Sequence, residues 1–186
     1  MGYDHPAVGW ELIRRSRVWC REFGLPDDWL EELLKERDDW AFCIKLAAIA
    51  EDAVKEALTK HVQPPALAQI ATKQPPTARI ELLLKLNLVE ANEADGLRAI
   101  AAVRNGYAHS VRNLRQSISG FLDRESKEGN ARFNQLANAY RPAPNDTPAE
   151  NGWLAANQPR MALWLALVVV LARLYGVSQG ADLKAP

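Results

Sequence analysis

Apolar positions in this chain recur at intervals of three and four, and no run alternates apolar and polar residues as a half-buried strand would. The first helical stretch, Ala7 to Phe23, meets Gly24 and then Pro26, an arrangement that predicts a helix stop. Asp27 and Asp28 open a second, with Trp29, Leu30, Leu33 and Leu34 as its apolar positions. Phe42, Leu46, Ile49, Ala53 and Ala57 form one row of a longer helix, Asp38 to His61, which the pattern leaves free to join the second. Pro64-Pro65 and Pro75-Pro76 bracket a linker holding a short helical piece, Ala66 to Thr72. Thr77 to Val89 follows, with Ile80, Leu83, Leu84 and Leu86 on its apolar face.

A further helix begins at Asn92 or Glu93. Its stripe continues through Tyr107, Val111, Leu114, Ile118 and Phe121, so it is expected to run to about Glu125. Gly129 and Asn130 read as a break before a short helix, Ala131 to Tyr140. Residues 141–158, rich in proline, read as a surface loop, and 159–176 as an apolar core helix capped by Gly176. The expected fold is all-α: one domain over 1–186, a helical bundle of about five to seven helices.

Composition narrows the function. With 186 residues, 48% hydrophobic and 25% charged, the chain suits one substantial core. A formal net charge of zero argues against a general nucleic-acid coat, so any such role must be local. Cys20 and Cys43 lack the spacing of a metal site or disulfide framework and read as reduced, buried thiols. The strongest apolar run, Met161 to Ala172, falls short of the roughly twenty residues that span a bilayer. No membrane role and a cytoplasmic location are expected.

One segment departs from this balance. Gly96 to Leu122 contains Arg98, Arg104, Arg112 and Arg115 but no Asp or Glu. Within it stand Arg104-Asn105-Gly106-Tyr107-Ala108-His109, a guanidinium, an amide and an imidazole within about two helical turns. Asn105 and His109 are four apart and share a helix row with Ala102 and Arg98. Arg104 lies on the adjacent row with Leu97, Ala101 and Ala108, at the core edge, where it needs a counter-charge or a groove. Glu51 interrupts the apolar row of Ala47, Val54 and Leu58 and is the expected ion-pair partner of Arg104. A local basic field beside an imidazole, the side chain that changes charge in the neutral range, suits a phosphate-bearing ligand and RNA above all.

This element resembles the Arg-x4-6-His signature of HEPN domains, including the polar residue after the arginine. Asp38 to His109, within an expected core over 38–125, is also similar to mannitol-repressor-like all-α proteins, which carry an Arg-Asn-x-aromatic-Ala-His element. The first resemblance implies a metal-independent endoribonuclease, often a homodimer and often part of toxin-antitoxin or phage-defence systems. His109 would be general acid/base, Arg104 would stabilise phosphate charge, and Asn105 would orient His109 or the phosphate. Glu51 and the aromatic Tyr107 would support them, while Arg98, Arg112 and Arg115 would bind the RNA backbone. The second implies a regulatory or protein-interaction module without catalysis. Partners on these readings are RNA, a second copy of the chain, and an antitoxin or regulatory protein. Gly106 departs from both families, which usually carry a larger residue there. A glycine costs a helix about 1 kcal/mol relative to alanine, so it marks a kink or a close backbone approach.

Other chemistry is poorly supplied. The chain has three histidines, with no carboxylate-histidine cluster suited to a metal. No cofactor loop or nucleophile elbow is present. His61, at the end of a helix, reads as structural, and Trp10, Trp19, Trp29 and Trp40 as packing anchors.

Overall fold

Gly24 closes the first helix through its own backbone. At φ +65°, a conformation that glycine adopts without steric cost, its N–H donates to the Arg21 carbonyl at 2.9 Å. The Leu25 N–H donates to Cys20 at 2.8 Å, completing the paired bonds that satisfy a helix end. The structure, a computed structural model, describes residues 16–109, 111–123, 127–139 and 148–178. The start of the first expected helix, Trp10 and residues 141–147 lie outside the described residues.

The helices are α1 (16–22), α2 (Trp29–Leu34), α3 (Asp39–His61), α4 (Pro65–Thr72) and α5 (Pro76–Lys85). They continue with α6 (Ala91–Ala108), a 3-10 turn (Val111–Asn113), α7 (Ile118–Leu122), α8 (Lys127–Ala139), α9 (Pro148–Asn157) and α10 (Pro159–Ser178). No strand occurs among the described residues, and the fold is all-α. Local chemistry accounts for many boundaries. Asp38 caps α3 by accepting from the Trp40 N–H at 3.0 Å, which separates α3 from α2. Pro65 and Pro76 stand in the first turns of α4 and α5, where a missing N–H costs nothing.

Five sequence expectations change. The first is the count: the described residues form ten α-helices rather than about five to seven, because the long stretches break into shorter pieces. The helix through the Arg-Asn element ends at Ala108, not near Glu125, and α7 is a separate piece. Residues 148–157 of the expected proline-rich loop form α9, because Pro148 sits at the helix start and interrupts nothing. α8 begins at Lys127 and passes through Gly129 and Asn130, whose helix cost is small beside tertiary packing. α10 runs past Gly176 to Ser178, so that glycine is no cap.

α6 is the pivot of the packing, set against α3, α8 and α10. α10 is buried over most of its circumference through Leu163, Trp164, Leu167, Val168, Val170 and Leu171, with a partly exposed stripe at Met161, Leu165, Val169 and Ala172. The Trp164 indole N–H donates to the Leu30 carbonyl at 2.7 Å, so this large ring enters the core without an unsatisfied donor. Trp19 is buried and Trp29 half-buried, but Trp40 is 38% exposed and anchors little. Cys20 and Cys43 are buried and unbridged, and burial pushes both thiols up, away from the reactive thiolate. No helix among the described residues is long and apolar enough to cross a membrane.

Candidate functional site at the end of α6

A helix end leaves carbonyls without internal partners, and the last turn of α6 meets this need with a return segment. The Asn113 side-chain amide, in the 3-10 turn, donates to the Gly106 carbonyl at 2.6 Å. The Tyr107 hydroxyl donates to the Gln116 carbonyl at 2.7 Å. Phe121 of α7 stacks on Tyr107, with ring centres 5.7 Å apart, and lies directly over Gly106. A Cβ at position 106 would fall 2.1 Å from Phe121 Cε2, so the glycine is there for a close approach rather than a kink. On the far side, the Asp39 carboxylate accepts from the Ile118 N–H at 2.9 Å. The chain therefore turns back under α6, although its apolar spacing continues the helical period.

Asn105 and His109 are both exposed at this end. His109 is the cap residue, its backbone N–H donating to Asn105 at 3.1 Å. Arg104 is half-buried, and its Nη1 donates to the Asn105 side-chain oxygen at 3.0 Å. That bond carries the guanidinium toward the row of Asn105 and His109. Among the described residues no carboxylate pairs with Arg104.

The expected Glu51–Arg104 ion pair is not formed. Glu51 Oε2 lies 3.9 Å from Arg79 Nη2, in a cavity of about 30 Å³ between α3, α5 and α6 that Ala47, Leu97 and Ala101 also line. The reason is burial. The Arg79 side chain is only 6% exposed, so it has the greater need of a counter-charge than half-exposed Arg104.

The remaining expected residues divide. Tyr107 is 1% exposed and serves packing rather than the surface. Burial pushes its phenol up, with Cys43 and Asp39 adding to the shift. Arg98 is not a free cation: it pairs with Asp95 at 2.8 Å and with Glu81 of α5 at 2.5 Å. The acid-free stretch therefore borrows an acid from another helix. Arg115 is exposed and pairs with no carboxylate among the described residues, and the side chain of Arg112 lies outside them. The structure thus joins Arg104 to Asn105 and leaves His109 exposed at the same helix end. It gives Glu51 to Arg79, Tyr107 to the core and Arg98 to Asp95 and Glu81.

A larger cavity, about 350 Å³, opens where α3, α7 and α10 meet, lined by Asp39, Ile118, Ser119, Asn157 and Arg160. Arg104, Asn105 and His109 line neither cavity. Among the described residues no group of three or more His, Cys, Asp or Glu is placed to hold a metal ion. His61 is structural, its Nδ1 lying 2.9 Å from the Ala57 carbonyl. Sequence reading missed Asn113 and Phe121, whose roles depend on the chain folding back. The one local signal was an asparagine a few residues beyond a helical glycine. Set against known protein families, curated proteins and solved structures, the chain gives no match.

Proposed function

We propose that the protein cleaves RNA at the end of α6 in the manner of HEPN-type endoribonucleases. The observation that carries this reading is that Arg104 is hydrogen-bonded to neutral Asn105 and pairs with no carboxylate among the described residues, near an exposed His109 on the same helix end. A guanidinium already neutralised by a carboxylate would offer little to a phosphate; this one retains its charge. In the reaction the imidazole of His109 takes the proton of a ribose 2′-OH as its oxygen attacks phosphorus. The bond to the 5′-oxygen breaks, and the imidazolium returns the proton to that leaving oxygen. Arg104 stabilises the charge gathered on the phosphoryl oxygens, and Asn105 holds the guanidinium in place. The products are a 2′,3′-cyclic phosphate and a 5′-hydroxyl, and the chemistry needs no metal. RNA, a second copy of the chain and an antitoxin-like protein are the partners this reading implies.

Labelled RNA incubated with purified protein in EDTA tests it. The wild type should cleave, and Arg104→Ala and His109→Ala should each lose about 100-fold or more of the rate. Equal activity in wild type and both variants would identify a contaminant and end the proposal. One observation favours the non-catalytic, mannitol-repressor-like reading. Val111 is 83% exposed and Leu114 42% exposed beside the same residues, an apolar margin suited to a protein partner. RNA left intact by the wild type would move the reading there.

A further inference from the structure

His109 is exposed and makes no side-chain hydrogen bond or ion pair among the described residues, so its position is set by the backbone that carries it. That backbone is held at two points. Before it, Gly106 is closed over by Phe121 and its carbonyl is taken by Asn113. After it, Gln116 is tied to Tyr107 and Ile118 to Asp39. Two hydrogen bonds join the sides across the short loop containing His109, Tyr107 to Gln116 and Asn113 to Gly106, and the Asn113 bond closes the shorter span. Asn113 is 3% exposed although it is an asparagine in a surface turn, and its amide reaches the helix end at 2.6 Å.

We infer that Asn113 is a positioning residue for His109, an assignment that rests on the RNA-cleaving reading above. Its amide fixes the last turn of α6 against the 3-10 turn and so sets where the imidazole stands relative to Arg104 and Asn105. A misplacement of about 1 Å in an acid/base group can cost about 100-fold in rate. Asn113 itself touches no substrate, so its loss spares binding. The signature is a fall in kcat with KM retained.

The test compares cleavage by the wild type, Asn113→Ala, Asn113→Asp and Phe121→Leu, each assayed well below its own melting temperature. Asn113→Asp keeps the shape but removes the N–H donor, and it stands in if the alanine variant fails to fold. Phe121→Leu loosens packing on Gly106 while leaving the donor, and so reports what instability alone does. The Asn113 variants should lose about tenfold or more in kcat, with KM within about twofold, and more than Phe121→Leu at matched folded fraction. Folded Asn113 variants with wild-type kcat would overturn this assignment and leave the RNA-cleaving reading standing. So would a loss that merely tracks the folded fraction. A wild type that leaves RNA intact in EDTA would overturn both.

Discussion

At the start of α6, Glu90 and Glu93 close a capping box, with the Glu90 N–H donating to Glu93 at 2.8 Å. Arg173 of α10 reaches both carboxylates, and Arg98, one to two turns on, is held between Asp95 and Glu81. At the other end of the same helix Arg104 is bonded, among the described residues, to a neutral amide and to no carboxylate, and His109 stands exposed. One end spends its charges on one another, and the other keeps them available. Paired charges that link α6 to α10 and α5 contribute to holding the bundle together. A half-buried cation that pairs with no carboxylate among the described residues adds little to stability, so its place in the sequence points to something outside the fold.

That contrast can be broken by mutation. The largest change in stability should follow Arg173→Ala, which takes a partner from Glu93, a carboxylate only 5% exposed. A charge-assisted hydrogen bond is worth about 1.5–3 kcal/mol, and the partial exposure of Arg173 places this one near the lower figure. Chemical denaturation measures it; a loss below about 0.5 kcal/mol would show that the paired end is no more structural than the other. Next comes Gly106→Ala, where overpacking against Phe121 costs about 1–3 kcal/mol, less the roughly 1 kcal/mol that alanine gains in a helix. Adding Phe121→Leu should recover part of it, and strict additivity of the two in a double-mutant cycle would refute the contact.

A smaller effect should appear in alkali. Folding favours the neutral phenol of Tyr107, because burial pushes its pKa up. Its contribution is complete below about pH 10, where an ordinary tyrosine titrates, and is lost as the pH climbs from there toward the higher folded-state pKa. Tyr175, raised by burial and by Glu56, acts in the same direction. Tyr107→Phe should therefore make the decline in denaturation midpoint above about pH 10 shallower without abolishing it. An unchanged slope would remove Tyr107 from that balance. The smallest effect belongs to the exposed end: Arg104→Ala and His109→Ala should change stability by no more than about 0.5 kcal/mol. A loss of several times that figure would make Arg104 a structural residue.

Features written in local chemistry were legible in the sequence. Gly24 before Pro26, the proline pairs and the apolar run from Met161 each act within one or two turns, whereas the Asp38 cap that separates α3 from α2 went unread. The end of α6 was not legible, because Tyr107, Val111, Leu114, Ile118 and Phe121 keep a helical period across a chain reversal. What makes the reversal is a bond from Asn113 back to Gly106 and a ring laid on a glycine. The basic segment was misread for a similar reason. Counting acids along 96–122 cannot see Glu81 arriving from α5, nor Arg79 claiming Glu51 before Arg104 can. The row assignment of Asn105 and His109 needed only the helical repeat, and it held.

The ring over Gly106 also bears on how this sequence can change over generations. With Phe121 in place, position 106 has no room for even a methyl group, so a larger residue there carries its cost from the moment it arises. If Phe121 gives way first to a smaller side chain, the same substitution becomes tolerable and even favoured by helix propensity. The order of the two steps decides whether the path is open. Related chains with a bulkier residue at this point should therefore carry a lesser one where Phe121 stands, and the pair should drift as a unit.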